Sequence, residues 1–171
     1  MSEGDAVTNL VIYPGTFDPM TLGHLDLVER GSEMFERLLI AVAVDSPKTT
    51  LFTVEERVAM AREVVGCLPN VEVDPFRGLL VDYARERGAR VLLRGLRAYS
   101  DFESEFQMAL INRKLAPEIE TLFMMPKETH SYLSSNAVKQ VAGLGGNVGE
   151  FVPPAVARML RLKLGAGETA S

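Results

Sequence analysis

Two short stretches of this 171-residue chain combine residue types suited to holding phosphate. The first reads Tyr13-Pro14-Gly15-Thr16-Phe17-Asp18-Pro19-Met20-Thr21-Leu22-Gly23-His24. Gly15 would let the backbone approach a ligand with no Cβ in the way, and Thr16 places a hydroxyl beside it. The Thr21-x-Gly23-His24 segment enters a helical pattern. His24 is therefore expected in a first turn, where unpaired N–H groups favour an anion. The second stretch is Arg94-Gly95-Leu96-Arg97, two guanidiniums around a glycine, a pairing suited to bidentate phosphate contacts. Singly, each residue has an ordinary reading: Gly15 as a turn, His24 as a structural histidine, the arginines as solvated surface charges. Only a fold that brings the two stretches together makes them one site.

The hydropathy pattern supplies such a fold. Leu10 to Tyr13 is a short β-rich run stopped by Pro14-Gly15, and Thr21 to Arg37 carries Leu25, Val28, Met34 and Phe35 at helical spacing. Leu38 to Val44 is a continuous apolar run of the kind a sheet covered on both faces needs. Thr53 and Glu56 form a capping-box signature for a helix with Val58, Ala61 and Val65 along one side. Val71 to Val73 predicts a short strand, Gly78 to Arg87 a helix stopped by Gly88, and Arg90 to Arg94 another strand. Ser100 and Glu103 repeat the capping signature ahead of a helix that runs until Pro117. Thr121 to Met125 predicts the last strand, followed by helices near Ser134 to Ala142 and Pro154 to Leu164. Gly143, Gly145 and Gly146 follow no strand and read as a helix stop and loop.

Strands alternating with helices imply right-handed parallel crossovers. The fold class expected is α/β: a doubly wound, Rossmann-like, five-stranded parallel sheet in the order 3-2-1-4-5. Residues 1–171 form a single domain, with frayed tails at about 1–8 and 165–171. In that order strands one and four are neighbours at the switch point, and ligands bind outside their carboxyl ends. Both phosphate-suited stretches fall there.

Composition narrows the partners. Hydrophobic residues at 47% and charged residues at 24% argue against extensive disorder. A net charge of -5 argues against a general nucleic-acid binder, so positive charge for an anionic ligand must be concentrated locally. The longest apolar run, Leu38 to Val44, is far short of the ~20 residues a spanning helix needs. The acidic, polar N-terminus lacks the apolar region of a signal peptide. The expectation is no membrane, no nucleic acid and a cytoplasmic setting, with which the single Cys67 agrees. The lack of a Walker A pattern argues against a P-loop kinase.

The joint pattern resembles the T/HxGH nucleotidylyltransferase superfamily and, within it, the bacterial phosphopantetheine adenylyltransferase family. The resemblance rests on YPGTFDPMTLGH, on Ser46-Pro47-Lys48 with Leu51-Phe52-Thr53 after it, on LLRGLRAYSDFESEFQMALINRKL and on Tyr132-Leu133-Ser134-Ser135. It covers nearly the whole chain between the tails. It implies reversible transfer of the adenylyl group of ATP to 4′-phosphopantetheine, giving dephospho-coenzyme A and pyrophosphate, by direct in-line attack without a covalent intermediate. The residue types agree with that chemistry. A phosphate monoester has a second pKa of about 6, so the nucleophile is an anion at neutral pH and needs no general base. Cations and N–H donors suffice to bring anions together and stabilise the transition state.

Carried over position by position, the resemblance implies His24, Lys48 and Arg94 as catalytic residues, with His24 on the α-phosphate. Thr16, Lys48 and Arg94 would hold the phosphopantetheine phosphate and Leu80 would line the pantetheine channel. ATP would be held by Thr16, Phe17, His24, Gly95, Leu96, Arg97 and Glu105. The segment His130, Ser131, Tyr132, Leu133, Ser134, Ser135 and Asn136 would complete its site, the serines at a helix start facing the β- and γ-phosphates. Mg2+ is expected to accompany ATP; the sequence shows no dedicated ligand cluster, which suits an ion bound through substrate phosphates and water. A homohexamer and coenzyme A as a feedback ligand are implied as well.

Some positions depart from the family pattern. Thr49 follows Lys48 where relatives often have a second lysine, Asn136 stands where a third serine or threonine is usual, and His130 takes a place often aromatic. Asp18 reads as a turn residue beside Pro19. Two alternatives stay open: the same transfer to nicotinamide mononucleotide or glycerol phosphate, and a non-catalytic nucleotide sensor. The DFESEFQMALINR helix and Lys48 weigh against the first, and the presence of His24 and Lys48 weighs against the second.

Overall fold

Alternation along the strands sets the two faces of the sheet. In β1 (Leu10–Gly15), Val11 and Tyr13 join the core cluster on one face, and Leu10 and Ile12 join the cluster on the other. In β2 (Arg37–Ala43), Leu38, Ile40 and Val42 take the first face and Leu39 and Ala41 the second. Both faces of these strands are covered, which is why their sequences read as unbroken apolar runs. With β3 (Val71–Phe76), β4 (Val91–Gly95) and β5 (Glu120–Met124) they form a parallel sheet of five strands in the order β3-β2-β1-β4-β5. The expected fold class is the one observed. This computed structural model describes residues 9–97 and 99–165, the side chains of Tyr99 and Ser100 excepted.

Helices cover both faces. On the first lie α1 (Leu22–Met34), α2 (Val54–Val64), α5 (Ser135–Gly143) and α6 (Pro154–Leu164), burying residues such as Leu27, Val28, Val58, Val138 and Leu160. On the second, α3 (Leu80–Glu86) packs Val81, Tyr83 and Ala84, joined by Ala116 and Ile119 beyond α4 (Tyr99–Leu115). Burying one such Leu, Ile or Val side chain stabilises the fold by roughly 1.5–3 kcal/mol.

The boundaries differ from the sequence pattern for identifiable reasons. α1 ends at Met34 rather than near Arg37 because Phe35 is extended, and the remote Asn70 amide donates to the carbonyls of Ser32 and Phe35 at 2.7 and 3.1 Å. That side chain satisfies carbonyls a helix end leaves open. β3 runs to Phe76 through Pro75, which is tolerated because β3 is an edge strand. The Thr53–Glu56 capping box forms as expected, with Thr53 Oγ1 accepting the Glu56 N–H and Glu56 accepting the Thr53 N–H. The second capping box falls on Ser100, whose side chain lies outside the described residues, as do the tails apart from Gly165, which caps α6. The late glycines do end a helix: Gly146 N–H bonds back to the Val141 carbonyl at 2.9 Å.

One departure opens the site. β1 pairs with β2 as far as Gly15↔Val42, but with β4 only at Val11↔Val91 and Ile12↔Leu92. Pro14 has no N–H to carry the ladder onward, so β1 and β4 part there. The crevice lies at their carboxyl ends, where the strand order places a ligand. No helix among the described residues is long and apolar enough to cross a membrane.

Candidate active site

A cavity of about 270 Å³ fills that crevice, and α1 enters it by its N-terminus. Thr21 is the buried N-cap. Its hydroxyl accepts the His24 N–H at 3.4 Å, and its own backbone N–H donates to Nδ1 of His24 at 2.9 Å. A ring nitrogen that accepts from an amide carries no proton, so the neutral imidazole holds its proton on Nε2. Phe17 packs edge-on against the His24 ring, centroids 5.2 Å apart, and against Tyr13 at 5.3 Å. Burial in this corner, then the charges of Arg97 and Arg94, push the His24 pKa down to about 4. At neutral pH His24 is an uncharged N–H donor. Phe17 takes a left-handed φ of 49°, at a cost of about 1–2 kcal/mol outside glycine, and a Cβ on Gly15 would stand 3.0 Å from its ring. Gly15 therefore makes room for the Phe17 ring.

Arg94 closes β4. Its Nε donates to Oε2 of Glu105 at 2.7 Å, its Nη2 to the other oxygen of Glu105, and its Nη1 to the Pro14 carbonyl at 2.9 Å. The guanidinium thus takes the backbone edge exposed where β1 and β4 part. Burial opposes its charge, but the hydrogen bonds to Glu105 and the charges of Glu105, Tyr13 and Asp101 together outweigh burial and raise its pKa. Arg97 donates to Asp101 at 3.0 Å and reaches the Leu133 carbonyl at 3.0 Å, joining the β4–α4 turn to the segment before α5. Gly95 is needed for packing: a Cβ there would come within 2.5 Å of Leu27 on α1.

Lys48 reaches the cavity from the β2–α2 loop. The cations lining the cavity are Lys48, Arg94, Arg97 and Lys139, and its carboxylates are Asp18, Asp101 and Glu105. Arg94, Arg97 and Lys139 are each paired, with Glu105, Asp101 and Asp18. Lys48 has no ion pair among the described residues. The local positive charge that an acidic chain requires is present here, mostly as ion pairs. Asp18 is buried and accepts the N–H groups of Leu51 and Phe52 at 2.9 Å each. The buried Arg57 donates to the carbonyls of Thr16, Ala43 and Phe52 at 2.7, 2.8 and 3.3 Å, tying the β1 turn to the same loop. At the start of α5, Ser134 Oγ accepts the Ala137 N–H at 3.1 Å and Ser135 Oγ donates to the Pro19 carbonyl at 2.8 Å.

Among the residues singled out in the sequence, Thr16, Phe17, His24, Lys48, Arg94, Gly95, Arg97, Glu105, Ser134, Ser135 and Asn136 line this one cavity. The others are not among its lining residues. Leu96 is half-buried with its N–H on the Met124 carbonyl, and Leu133 is buried with its carbonyl on Arg97. His130 ends a 3-10 turn (Glu128–His130), Ser131 follows it, and Tyr132 is exposed. Leu80 is half-buried at the start of α3 and packs on the second face of the sheet. The whole 126–133 segment is anchored to α1 through the Lys127 N–H, which donates to the buried Asp26 at 3.0 Å.

Sequence reasoning missed Asp101, Lys139 and Arg57, and gave Asp18 too small a part. Asp101 lies four residues after Arg97, a spacing that signals an ion pair. Lys139 lies four residues after Ser135, on the same side of α5. Nothing local marks Arg57, whose acceptors are all backbone carbonyls.

The Cytidylyltransferase-like family model matches residues 12–141. A phosphopantetheine adenylyltransferase of Desulforudis audaxviator (strain MP104C) is 55% identical over 156 residues, 91% of this chain and 96% of its own length. One from Alkalilimnicola ehrlichii is 58% identical over 153 residues, 88% of each chain. One from Nitratidesulfovibrio vulgaris (strain DP4) is 54% identical over 156 residues, 91% of this chain and 84% of its own. A solved structure assigned as a nicotinate-nucleotide adenylyltransferase of Vibrio parahaemolyticus superposes with a TM-score of 0.63, covering 94% of this chain and 96% of that one. At 16% identity that likeness shows the fold alone. Relatives matched over nearly their whole length and a family model over most of the chain show its kinship: the chain belongs to the phosphopantetheine adenylyltransferase family of cytidylyltransferase-like nucleotidyltransferases.

Proposed function

We propose that this chain transfers the adenylyl group of ATP to 4′-phosphopantetheine, giving dephospho-coenzyme A and pyrophosphate. The observation that carries the reading is a single cavity holding a neutral His24 donor, the Lys48 cation, without an ion pair among the described residues, and the Arg94 and Arg97 guanidiniums beside the N-termini of α1 and α5. An acceptor phosphate oxygen forms the new bond to the α-phosphorus, and the bond to pyrophosphate breaks with its electron pair leaving on pyrophosphate. The barrier is mostly electrostatic, because anions must be brought together.

Lys48, with Thr16 and Arg94, holds the acceptor phosphate; among the described residues its ammonium has no carboxylate to release first. The Nε2–H of His24 meets the α-phosphate. A neutral donor gains strength as charge builds in the transition state, without the ground-state attraction a cation would exert. Ser134 and Ser135, with the first amides of α5, hold the outer phosphates. Phe17, Gly95, Leu96, Arg97, Glu105, Asn136 and the His130 to Leu133 segment complete the ATP site, and Leu80 meets the pantetheine arm.

The donors present suit a divalent ion carried in by the triphosphate. Among the described residues no group of three His, Cys, Asp or Glu side chains could hold a metal alone, and the cavity carboxylates already bond cations. Mg2+ would be held by phosphate oxygens and water, and when bound supplies charge neutralisation. The same reading extends to a homohexamer, supported by the exposed apolar residues Phe102, Phe106, Leu110 and Leu115 on α4. It further places coenzyme A in the cavity as a feedback ligand and the enzyme in the cytoplasm.

The test is incubation with ATP, Mg2+ and one acceptor at a time, following pyrophosphate. Release is expected with 4′-phosphopantetheine and not with nicotinamide mononucleotide or glycerol phosphate. Turnover only with another acceptor would reassign the substrate, and ATP binding without turnover would make the chain a sensor.

A further inference from the structure

Asp18 stands where three segments of the site meet. It is 4% exposed, yet it accepts from the amides of Leu51 and Phe52 and from the Lys139 ammonium, the last at 2.7 Å. We infer that Asp18 is a positioning residue: it fixes the Lys48 loop and the start of α5 to one point, and so sets the distance between the acceptor phosphate and the triphosphate. This rests on the reading that Lys48 and α5 serve those two anions.

The Lys48 side chain is exposed and has no ion pair among the described residues, and its backbone N–H donates to Ser46 Oγ, at 3.2 Å and two residues away. Among the described residues, nothing within the loop tip therefore holds the ammonium in place. The first anchor after it is the Leu51 and Phe52 amide pair on Asp18, one amide to each carboxylate oxygen. Moving the loop would strip a buried carboxylate of two donors, which is costly in a protein interior. The Oδ2 that takes the Leu51 amide also takes Lys139, one helical turn beyond Ser135. Ser135 in turn donates to Pro19, the residue after Asp18. The two phosphate-holding elements, far apart in sequence, are thus pinned to the β1–α1 turn. An asparagine cannot replace this: its single acceptor oxygen leaves an NH2 group facing either a backbone N–H or an ammonium.

The experiment uses the full chain, first shown to release pyrophosphate from ATP and 4′-phosphopantetheine, so that failure of the reaction itself is seen in the parent protein. Asp18→Asn is expected to lower kcat by about 10–100-fold, the scale of a misplaced reacting group, and to raise KM for phosphopantetheine more than KM for ATP. In a Lys48→Ala background the same substitution is expected to cost less than about threefold, because one of the two groups whose separation Asp18 sets is gone. Equal losses in both backgrounds would mean Asp18 acts through general stability and would overturn the inference. Hydrogen exchange at the Leu51 and Phe52 amides should quicken in Asp18→Asn; unchanged exchange would equally overturn it. Should Asp18→Asn not fold, Leu51→Pro removes one of the two amide donors, leaves the carboxylate in place, and is read in the same cycle.

Discussion

The turn that carries His24 and the loop that carries Lys48 face the same cavity but are held in opposite ways. His24 is fixed from within its own turn, by Thr21 three residues before it and by the ring of Phe17. The Lys48 loop is fixed from outside, by Asp18 at a separation of 33 and 34 residues and by Arg57 reaching to three carbonyls. A local cap is worth about 1 kcal/mol, whereas breaking a buried ionic network costs about 3–5 kcal/mol. On the proposed roles, the donor at the reacting phosphorus would be set cheaply by sequence neighbours, and the position of the acceptor cation would depend on the assembled fold.

Substitutions can break or sharpen that contrast. His24→Ala should lower kcat by roughly 100- to 1000-fold, about 2.7–4 kcal/mol, as for one lost transition-state donor, with ATP affinity almost unchanged. Steady-state kinetics with a parallel ATP titration checks this, and an unaltered kcat would take His24 out of the mechanism. On the other side, Arg57→Leu leaves the carbonyls of Thr16, Ala43 and Phe52 without their donor. It should cost about 3 kcal/mol or more in denaturant unfolding; a loss below about 1 kcal/mol would show the remote anchoring to be dispensable. Arg94→Ala should weaken phosphopantetheine binding by about 1.5–3 kcal/mol, read by calorimetry. A loss confined to ATP would contradict its assignment to the acceptor.

The gentlest probe is pH. Burial and the nearby guanidiniums hold the His24 pKa at about 4, below the roughly 6.5 of an exposed histidine. The unfolded chain therefore takes up this proton first. The contribution of His24 to stability is full above about pH 6.5 and drains away as pH falls toward 4. A proton NMR titration should find the His24 ring changing near pH 4 in the folded protein; a midpoint near 6.5 would mean the ring is neither desolvated nor flanked by the two arginines.

What could be read from the sequence follows the same division. The paired strands β1 and β2, the cap at Thr53, the helix entered at Thr21, and the placing of His24, Arg94 and Arg97 at one switch point all rest on short-range pattern and a topology rule. Asp18, Arg57 and Asn70 escaped because they act on backbone groups far along the chain, and no spacing records such a partner. Lys139 looked like any lysine on an amphipathic helix until the fold set it against Asp18. The apolar residues of α4 show a further limit: Phe106 and Leu110 sit at helical spacing yet remain exposed, since the same period can mark a buried face or an exposed one.

The most direct test of a cavity built to join two phosphates without an intermediate is the stereochemical course at the α-phosphorus. ATP made chiral there by sulfur substitution would be turned over with 4′-phosphopantetheine and the product configuration determined. Inversion is expected from one in-line displacement in the space between Lys48 and His24. Retention would reveal two displacements through an adenylylated side chain, and would contradict a site whose residues act only by holding, orienting and neutralising anions.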